Sequence, residues 1–146
     1  MRIAEILDRK GRDVHTASPE ETVMDAVHKL VKHNIGALAV VDAQGQLAGI
    51  ISERDVLRVL PRDAQKLATM RISERMTKEV VTASPEDDVE ACLNTMTGRH
   101  IRHLPVCRQG QLIGMVSIGD LVKSRLDDAV FEAHHLTAMV KGQYPA

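Results

Sequence analysis

A pentapeptide that occurs twice constrains the fold of this 146-residue chain more than any other feature. The sequence TASPE at residues 16–20 returns at residues 82–86. The residues downstream are parallel as well, since GIISERD at 49–55 is matched by GMVSIGD at 114–120. Two copies of one small unit usually complete each other's core. The sequence therefore predicts one duplicated unit with its functional sites between the copies.

The composition limits the classes of function that the chain can perform. Its 19 Lys and Arg against 20 Asp and Glu leave a net charge of −1, with no general attraction for nucleic acid or an anionic membrane. One Phe, one Tyr and no Trp offer few platforms for stacking bases. No apolar run approaches the roughly 20 residues of a membrane-spanning helix, and residues 1–5 do not resemble a signal peptide. We therefore expect a cytoplasmic protein without nucleic-acid or membrane partners.

Each repeat is predicted to begin with a short strand and a helix. The strands are expected at residues 14–16 and 80–82. Ser18 and Ser84 are expected to cap the helices, with Glu21 and Asp87 completing capping boxes. The apolar stripes with helical spacing are Val23, Ala26, Val27, Leu30 and Val31 in the first repeat, and Val89, Cys92, Leu93 and Met96 in the second. Cys92 and Cys107 fit apolar positions, which favours reduced, buried thiols.

A hairpin and a second helix complete each unit. The predicted hairpin strands are residues 35–41 with 47–51, and residues 101–107 with 112–116. Ser52 and Ser117 are expected to cap the helices that follow. Residues 3–7 resemble residues 72–76, which gives each unit a short leading segment. The predicted organisation is repeat 1 at 1–62, a linker at 63–71, repeat 2 at 72–127 and a C-terminal helical extension at 128–146.

The last helix is predicted to be long and to carry an apolar seam. Its apolar residues have the alternating spacing of a coiled coil, at Val122, Leu126, Ala129, Ala133, Leu136 and Val140. Gly142 and Pro145 are expected to end it. Two interpretations remain open, because the seam can fold back on its own domain or form a homodimer contact.

The repeated Gly-x-x-Ser-x-x-Asp segment is the first candidate for ligand binding. It lies where a predicted strand ends and a helix begins, and a helix N-terminus attracts phosphate. An Asp one turn into the helix can accept hydrogen bonds from a ribose diol. The alternative needs no ligand, because Ser-x-x-Asp is also a capping box.

The differences between the copies are more informative than their likeness. Gly119 stands where the first repeat has Arg54, and a glycine there costs up to about 1 kcal/mol relative to alanine, which suggests a close backbone approach. The strand after Arg99 is basic at Arg102 and His103, whereas the first repeat has small, neutral Gly36 and Ala37. We expect Arg102 or His103 to meet a phosphate near the helix start at Ser117. A solvated, basic strand end is the alternative.

Metal and catalytic sites are not expected. His100 and His103 point to opposite faces of a strand and lack nearby Cys or acidic ligands. His134 and His135 diverge by about 100° on a helix, which makes a poor chelate. The sequence has no nucleophile elbow, P-loop or dinucleotide-binding glycine motif. The chain is therefore predicted not to be an enzyme.

Together these motifs resemble a tandem pair of CBS (cystathionine β-synthase-type) domains, a Bateman module. The resemblance covers roughly residues 3–127 and rests on Thr-x-Ser-Pro before each first helix, on IRHLPV at 101–106 and on both Gly-x-x-Ser-x-x-Asp segments. The SERD and SIGD forms of that motif resemble small stand-alone bacterial members. The resemblance implies two pseudo-symmetric β-α-β-β-α repeats packed sheet to sheet. Two departures are Ala39 where the second repeat has Pro105, and Ser instead of the commoner Thr in both motifs.

The resemblance also implies two clefts that bind adenine nucleotides, namely AMP, ADP, ATP, S-adenosylmethionine or NAD(H). Asp55 and Asp120 would hold the ribose, with Ser52 and Ser117 near the phosphates. The other implied site residues are Thr16, Ala37, Thr82 and His103 along the cleft, Gly119 at the second helix start, and Arg54, Arg99 and Arg102 as phosphate partners. A ligand with two phosphates, ADP or NAD(H), is favoured over AMP, and no metal is expected.

The resulting hypothesis is a regulatory nucleotide sensor that forms a homodimer through its helices and acts on an unidentified protein target. The rival hypothesis is a structural adaptor dimer whose clefts stay empty. A bound nucleotide distinguishes the two.

Overall fold

Helices and strands alternate along the chain twice, and the computed structural model describes them for residues 1–140. The elements are α1 (Ile3–Lys10), β1 (Thr16–Ala17), α2 (Val23–His33), β2 (Ala37–Val41), β3 (Leu47–Ser52), α3 (Glu53–Asp63), α4 (Val89–Arg99), β4 (His103–Arg108), β5 (Gln111–Ser117) and α5 (Ile118–Val140). Short 3-10 turns occur at Ala64–Lys66 and Ile72–Glu74. The mixed α+β class and the long C-terminal helix are both confirmed.

The strands form two small sheets, one in each repeat. β2 and β3 pair antiparallel, with β1 parallel to β2, while β4 and β5 form the second hairpin. The two hairpin turns meet, since the Leu47 amide donates to the Gly110 carbonyl over 3.1 Å and Gln111 Nε2 donates to the Gln44 carbonyl over 3.0 Å. The sheets are therefore joined at their turns by direct hydrogen bonds.

The leading segments are exchanged between the two repeats. Ile3, Ile6 and Leu7 of α1 belong to the core that contains Val89, Cys92, Met96, Leu104 and Val116 of the second repeat. Ile72, at the start of the second repeat, lies in the core of the first with Ala26, Leu30, Leu38 and Ile51. Burying one such side chain contributes about 1.5–3 kcal/mol. Each core is thus completed by residues that precede the other repeat.

The TASPE segments dock these exchanged segments. The Pro19 and Glu21 carbonyls accept hydrogen bonds from the Ser73 and Ile72 amides, over 3.1 and 2.8 Å. In the second copy the Pro85 and Asp87 carbonyls accept from Ala4 and Ile3, both over 2.9 Å. The amides at a helix start have no hydrogen-bond partner within their own helix. Here carbonyl groups of the other repeat accept those hydrogen bonds. The repeated pentapeptide and the residue that follows it therefore form a docking site.

This docking explains why the predicted N-caps Ser18 and Ser84 are wrong. α2 begins four residues later behind Thr22, which forms a capping box with Asp25, and α4 begins behind Asp88. The Ser18 amide instead donates to Glu21 Oε2 over 2.6 Å within a turn. The predicted caps at Ser52 and Ser117 are correct, since each accepts a hydrogen bond from the amide three residues later.

Four other local predictions fail. Residues 80–82 form no strand, because only Ala83 bridges to Val106 there. The predicted strand at 14–16 is displaced to Thr16–Ala17, because it pairs with Ala39 and Val40. Val31 is 76 % exposed, since the buried stripe of α2 is Val23, Ala26 and Leu30. Cys92 is buried as expected, whereas Cys107 is partly exposed.

α5 leaves the body of the protein after its first two turns. Leu121 and Ser124 are buried, and Ser124 Oγ donates to Met1 Sδ over 2.7 Å. Every residue from Arg125 to Thr137 is exposed, so the seam does not fold back on its own domain. The predicted helix-ending residues Gly142 and Pro145 lie outside the described residues. In residues 1–140, no helix has the length and apolar character needed to cross a membrane.

Close packing of the exchanged segments gives Gly49 and Gly114 a structural role. A Cβ at Gly49 would lie 2.8 Å from the Thr77 carbonyl oxygen and 2.7 Å from Met76 Sδ. A Cβ at Gly114 would lie 2.7 Å from Leu7 Cδ2. Each glycine therefore allows the leading segment of the other repeat to approach the sheet.

We predict that Gly49→Ala lowers the free energy of unfolding by about 1–3 kcal/mol, because the new methyl group displaces the 76–77 backbone. The expected loss in melting temperature is about 3–10 °C by differential scanning calorimetry. Gly98→Ala in α4 is the matched control, because a Cβ there meets nothing within 4 Å. Replacing this glycine, which lies inside a helix, by alanine should stabilise the protein by up to about 1 kcal/mol. Equal effects of the two substitutions would contradict the packing explanation.

Candidate functional site

Two clefts lie between the repeats, and each combines elements of both. The Asp55 cleft, of about 490 Å³, is lined by Gly36, Ala37, Ile50, Ser52, Glu53, Arg54, Asp55, Leu57, Arg58, Thr77, Glu79, Val80, Val81, Arg99, His100, Ile101, Arg102 and His103. The Asp120 cleft, of about 330 Å³, is lined by Lys10, Asp13, Val14, His15, Asn34, Ile35, Gly36, Ala37, His103, Met115, Ser117 and Asp120. In each cleft, the Ser-x-x-Asp helix start of one repeat faces the helix-to-strand junction of the other.

The helix-to-strand junctions reach the clefts through a sharp turn. α2 and α4 end at Asn34 and His100, which both adopt the left-handed conformation, with φ of 52° and 55°. The chain then passes directly into β2 and β4. As a result Gly36 and Arg102, which hold equivalent places in the two repeats, lie on cleft walls.

Asp55 is a buried carboxylate with several donors. Its Oδ2 accepts from the Ser52 amide over 2.8 Å and from Ser52 Oγ over 3.1 Å. Thr77 Oγ1 donates to its Oδ1 over 3.4 Å. Its exposed fraction is 7 %. The side chain therefore serves as a helix cap and also presents a carboxylate to the cleft.

Asp120 holds the equivalent place but has a cationic partner. Its Oδ2 accepts from the Ser117 amide over 2.9 Å and from Lys10 Nζ over 2.7 Å. Burial acts to raise the pKa of Asp120, but the hydrogen bonds and charge of Lys10, with the Ser117 hydrogen bonds, outweigh it and hold that pKa below the usual value. Asp120 is therefore ionised at neutral pH.

His103, Gly36 and Ala37 line both clefts and form the wall between them. The His103 ring packs against Gly36, where a Cβ would lie 3.1 Å from the ring carbon Cε1. Burial lowers the pKa of His103, opposed by the carboxylates of Asp120 and Glu53. A larger residue at 36 would displace the ring. The wall is therefore thin, with a neutral imidazole at neutral pH.

Four arginines lie on the Asp55 side of this wall. Arg54, Arg58, Arg99 and Arg102 all line the Asp55 cleft, with Glu53, Asp55 and Glu79 as its acidic groups. The expected phosphate contact near Ser117 stays a prediction, since Arg102 lines the Asp55 cleft while its backbone carbonyl accepts from the Ile118 amide at the start of α5 over 2.8 Å. His103 does reach the Ser117 cleft, since it pairs with Ser117 across β4 and β5. The guanidinium groups suit the recognition of phosphate.

Some predicted site residues lie elsewhere. His15 and Val81 are among the described lining residues of the clefts, whereas the residues that follow them, Thr16 and Thr82, are not. The Thr16 carbonyl instead accepts from Lys29 Nζ over 3.0 Å. Gly119 is exposed, and a Cβ there would meet only Ser117 Oγ at 3.6 Å among the described residues. Within residues 1–140, no protein group therefore requires a glycine at that position.

Several cleft residues belong to no motif that marks them in the sequence, chiefly Lys10, Asp13, His15, Arg58, Thr77 and Glu79. Lys10 and Thr77 follow the two leading segments, whose exchange between the repeats carries them into the clefts. The similarity of residues 3–7 to 72–76 was the available signal, but it does not reveal which cleft each segment reaches.

Metal and thiol chemistry find little support in the described part of the chain. Residues 1–140 contain no cluster of three or more His, Cys, Asp or Glu arranged to hold a metal. Burial, with the nearby charges of Asp87 and Asp88, raises the pKa of Cys92 to about 11. Burial also raises the pKa of Cys107. Both thiols are therefore protonated and weakly nucleophilic at neutral pH.

The lowered pKa of His103 predicts a pH dependence of stability. The unfolded chain, with a histidine pKa near 6.5, binds more protons than the folded chain just below that pH. The free energy of unfolding should therefore fall as pH drops from about 7 to 5.5. His33, whose pKa is also lowered, contributes with the same sign. In urea titrations His103→Asn should lose less stability over this range than the wild type. An unchanged pH dependence in that variant would contradict the assignment.

Comparisons with known proteins agree with this architecture. The family model described as "CBS domain" matches residues 3–62 and 72–127. A mitochondrial CBS domain-containing protein of Arabidopsis thaliana, CBSX3, is 36 % identical over 97 % of this chain and 73 % of its own length. The CBS-domain protein ATU1752 of Agrobacterium tumefaciens has a TM-score of 0.81 and 38 % identity, covering 86 % of this chain and 99 % of that one. The CBS domain pair of MJ0100, solved with 5′-methylthioadenosine and S-adenosyl-L-methionine, has a TM-score of 0.75 and 30 % identity over 88 % of this chain and 97 % of its own.

Proposed function

The chain belongs to the CBS-domain family, and from this premise we propose that it is a non-enzymatic regulatory module that binds adenosine ligands in the clefts between its repeats. The main support is that Asp55 and Asp120 occupy equivalent places in two clefts, each facing the other repeat. The similar CBS pair of MJ0100 was solved with two adenosine compounds. A ligand that contacts both repeats stabilises one relative arrangement of them, which a partner protein can recognise.

We further propose that the ligand is an adenine nucleotide with two phosphates, ADP or NAD(H). The Asp55 cleft supplies the chemistry, because Arg54, Arg99 and Arg102 offer cationic partners for phosphates near a helix start. In this proposal the base lies against the small residues Gly36 and Ala37, beside the His103 ring that packs on Gly36. The volume of the Asp55 cleft, about 490 Å³, lies within the range of small-molecule binding sites.

In this proposal the Asp55 and Asp120 carboxylates accept hydrogen bonds from the ribose hydroxyl groups. Ser52 and Ser117, at the starts of α3 and α5, lie toward the phosphates. His103 faces both clefts and contacts the ligand in either. Thr16, Thr82 and Gly119 stay predicted ligand contacts, although they lie outside the described cleft linings.

Substitution of the carboxylates tests these roles. We predict that Asp55→Asn and Asp120→Asn each weaken nucleotide binding at their own cleft about 10- to 100-fold, because hydrogen bonds to charged groups contribute about 1.5–3 kcal/mol. Asparagine keeps an oxygen for the cap. Isothermal titration calorimetry with ADP measures the loss. Asp25→Asn is the matched control, because Asp25 holds the same capping position in α2 outside both clefts.

A thermal-shift panel of AMP, ADP, ATP, NAD, NADH and S-adenosylmethionine identifies the preferred ligand. A ligand at 100 times its Kd stabilises the fold by about 2.7 kcal/mol, which corresponds to roughly 5–10 °C for a chain of this size. Failure of every compound to shift the wild type, together with unchanged binding in both Asp variants, would favour the adaptor hypothesis with empty clefts.

We also propose that the protein acts as a homodimer through the exposed seam of α5. Leu126, Leu136 and Val140 are 60, 61 and 88 % exposed on that helix. Val122 and Leu57, at equivalent places in α5 and α3, are also exposed. A row of large apolar side chains at coiled-coil spacing is stabilised when a second helix covers it.

We predict that Leu126→Glu converts the dimer to a monomer, because a buried carboxylate in a helix interface is strongly unfavourable. Light scattering coupled to size-exclusion chromatography should then report one chain of 16.1 kDa. His134→Glu is the control, because it adds the same charge to α5 at an exposed position off the seam. A mass unaffected by Leu126→Glu would exclude the seam as the dimer contact.

A further inference from the structure

Lys10 distinguishes the two clefts at the group that is proposed to hold the ribose. It is the last residue of α1, and its ammonium group donates to Asp120 Oδ2 over 2.7 Å and to the Met115 carbonyl over 2.9 Å. Its side chain is 35 % exposed, and that of Asp120 is 27 % exposed. The ion pair is thus accessible from the cleft without being fully solvated.

The equivalent carboxylate in the other cleft has no such partner. Within residues 1–140, no lysine or arginine nitrogen forms an ion pair with Asp55. Its donors are the neutral groups of Ser52 and Thr77. The leading segment of the second repeat places Thr77 against Asp55, where that of the first places Lys10 against Asp120.

We propose that Lys10 is a specificity-determining residue that occupies the Asp120 carboxylate, so that nucleotide fills the Asp55 cleft first and reaches the Asp120 cleft only by displacing Lys10. This inference rests on the proposed nucleotide-binding function. A ribose diol that hydrogen-bonds Asp120 competes with an ammonium group for the same carboxylate. At Asp55 the competing donors are neutral, namely the Ser52 amide and hydroxyl on Oδ2 and the Thr77 hydroxyl on Oδ1, whose distance of 3.4 Å makes it a weak contact.

The charges and sizes of the clefts also favour binding at the Asp55 cleft first. The Asp55 cleft is lined by four arginines, whereas Lys10 is the single Lys or Arg among the lining residues of the Asp120 cleft. Two aspartates, Asp13 and Asp120, accompany Lys10 there. The Asp120 cleft is also smaller, at about 330 Å³ against 490 Å³. A phosphorylated ligand is therefore favoured in the Asp55 cleft.

The rival role for Lys10 is that of a phosphate ligand. A lysine that binds phosphate needs its ammonium group directed at the ligand, but two of the three donors of Lys10 are directed at protein oxygens. The two roles predict opposite effects of removing the charge. Loss of a competitor tightens ADP binding at the Asp120 cleft, whereas loss of a phosphate ligand weakens it.

Calorimetric titration of ADP into the full chain tests the proposal. The wild type should bind in two unequal steps, of which Asp55→Asn removes the tighter and Asp120→Asn the weaker. In the Asp55→Asn background, which reports on the Asp120 cleft, Lys10→Met should tighten ADP binding about two- to fivefold, the range expected for releasing a partly exposed ion pair. Methionine preserves the packing of the lysine stem.

Arg9→Met in the same background is the matched control, because Arg9 is an exposed cation in the last turn of the same helix. That change should leave ADP binding unaltered or slightly weaker. Weakened or unchanged binding in the Lys10 variant, or loss of the tighter step in Asp120→Asn, would overturn the inference while leaving nucleotide binding intact. No ADP binding by the wild type would overturn the proposed function as well. Lys10→Gln provides a second variant should Lys10→Met not fold.

Discussion

The exchange of leading segments between the repeats is the interaction on which the rest of this structure depends. α1 supplies Ile3, Ile6 and Leu7 to the second core, and Ile72 enters the first. The backbone of each TASPE segment receives the amides at the start of the exchanged segment. Neither repeat has a complete core of its own, so each repeat must fold against the other. Together the two repeats bury a larger core than either copy could form alone.

The same exchange builds the clefts and makes them differ. The residues that follow the exchanged segments, Lys10 in one repeat and Thr77 in the other, are carried to the Ser-x-x-Asp helix starts. The cleft walls come from the junctions at Gly36 and Arg102, which differ in size and charge. His103 lies between the clefts, so a ligand in one changes the surroundings of a group that lines the other. The pseudo-symmetry of the backbone therefore coexists with unequal chemistry in the two sites.

Local patterns predicted much of the fold because they depend on nearby residues. Ser52 and Ser117 cap their helices as expected, since the cap and the amide that it binds are three residues apart. The apolar runs in the sequence located both hairpins to within a few residues. The same reasoning failed at Ser18 and Ser84, which have the composition of helix caps. Their neighbouring carbonyl groups bind a segment more than fifty residues away in the chain, and no local pattern reports such a partner.

The sequence by itself determined the duplication, the α+β class, the repeated carboxylates Asp55 and Asp120, and the unequal charge of the two junctions. These features follow from residue identity, periodicity and short-range hydrogen bonding. Only the tertiary structure decided that Arg102 lines the Asp55 cleft, that His103 is shared by both clefts, and that Lys10 reaches Asp120. Each of these depends on how one repeat docks on the other. That docking is set by the summed burial of many apolar side chains, and no single motif in the sequence encodes it.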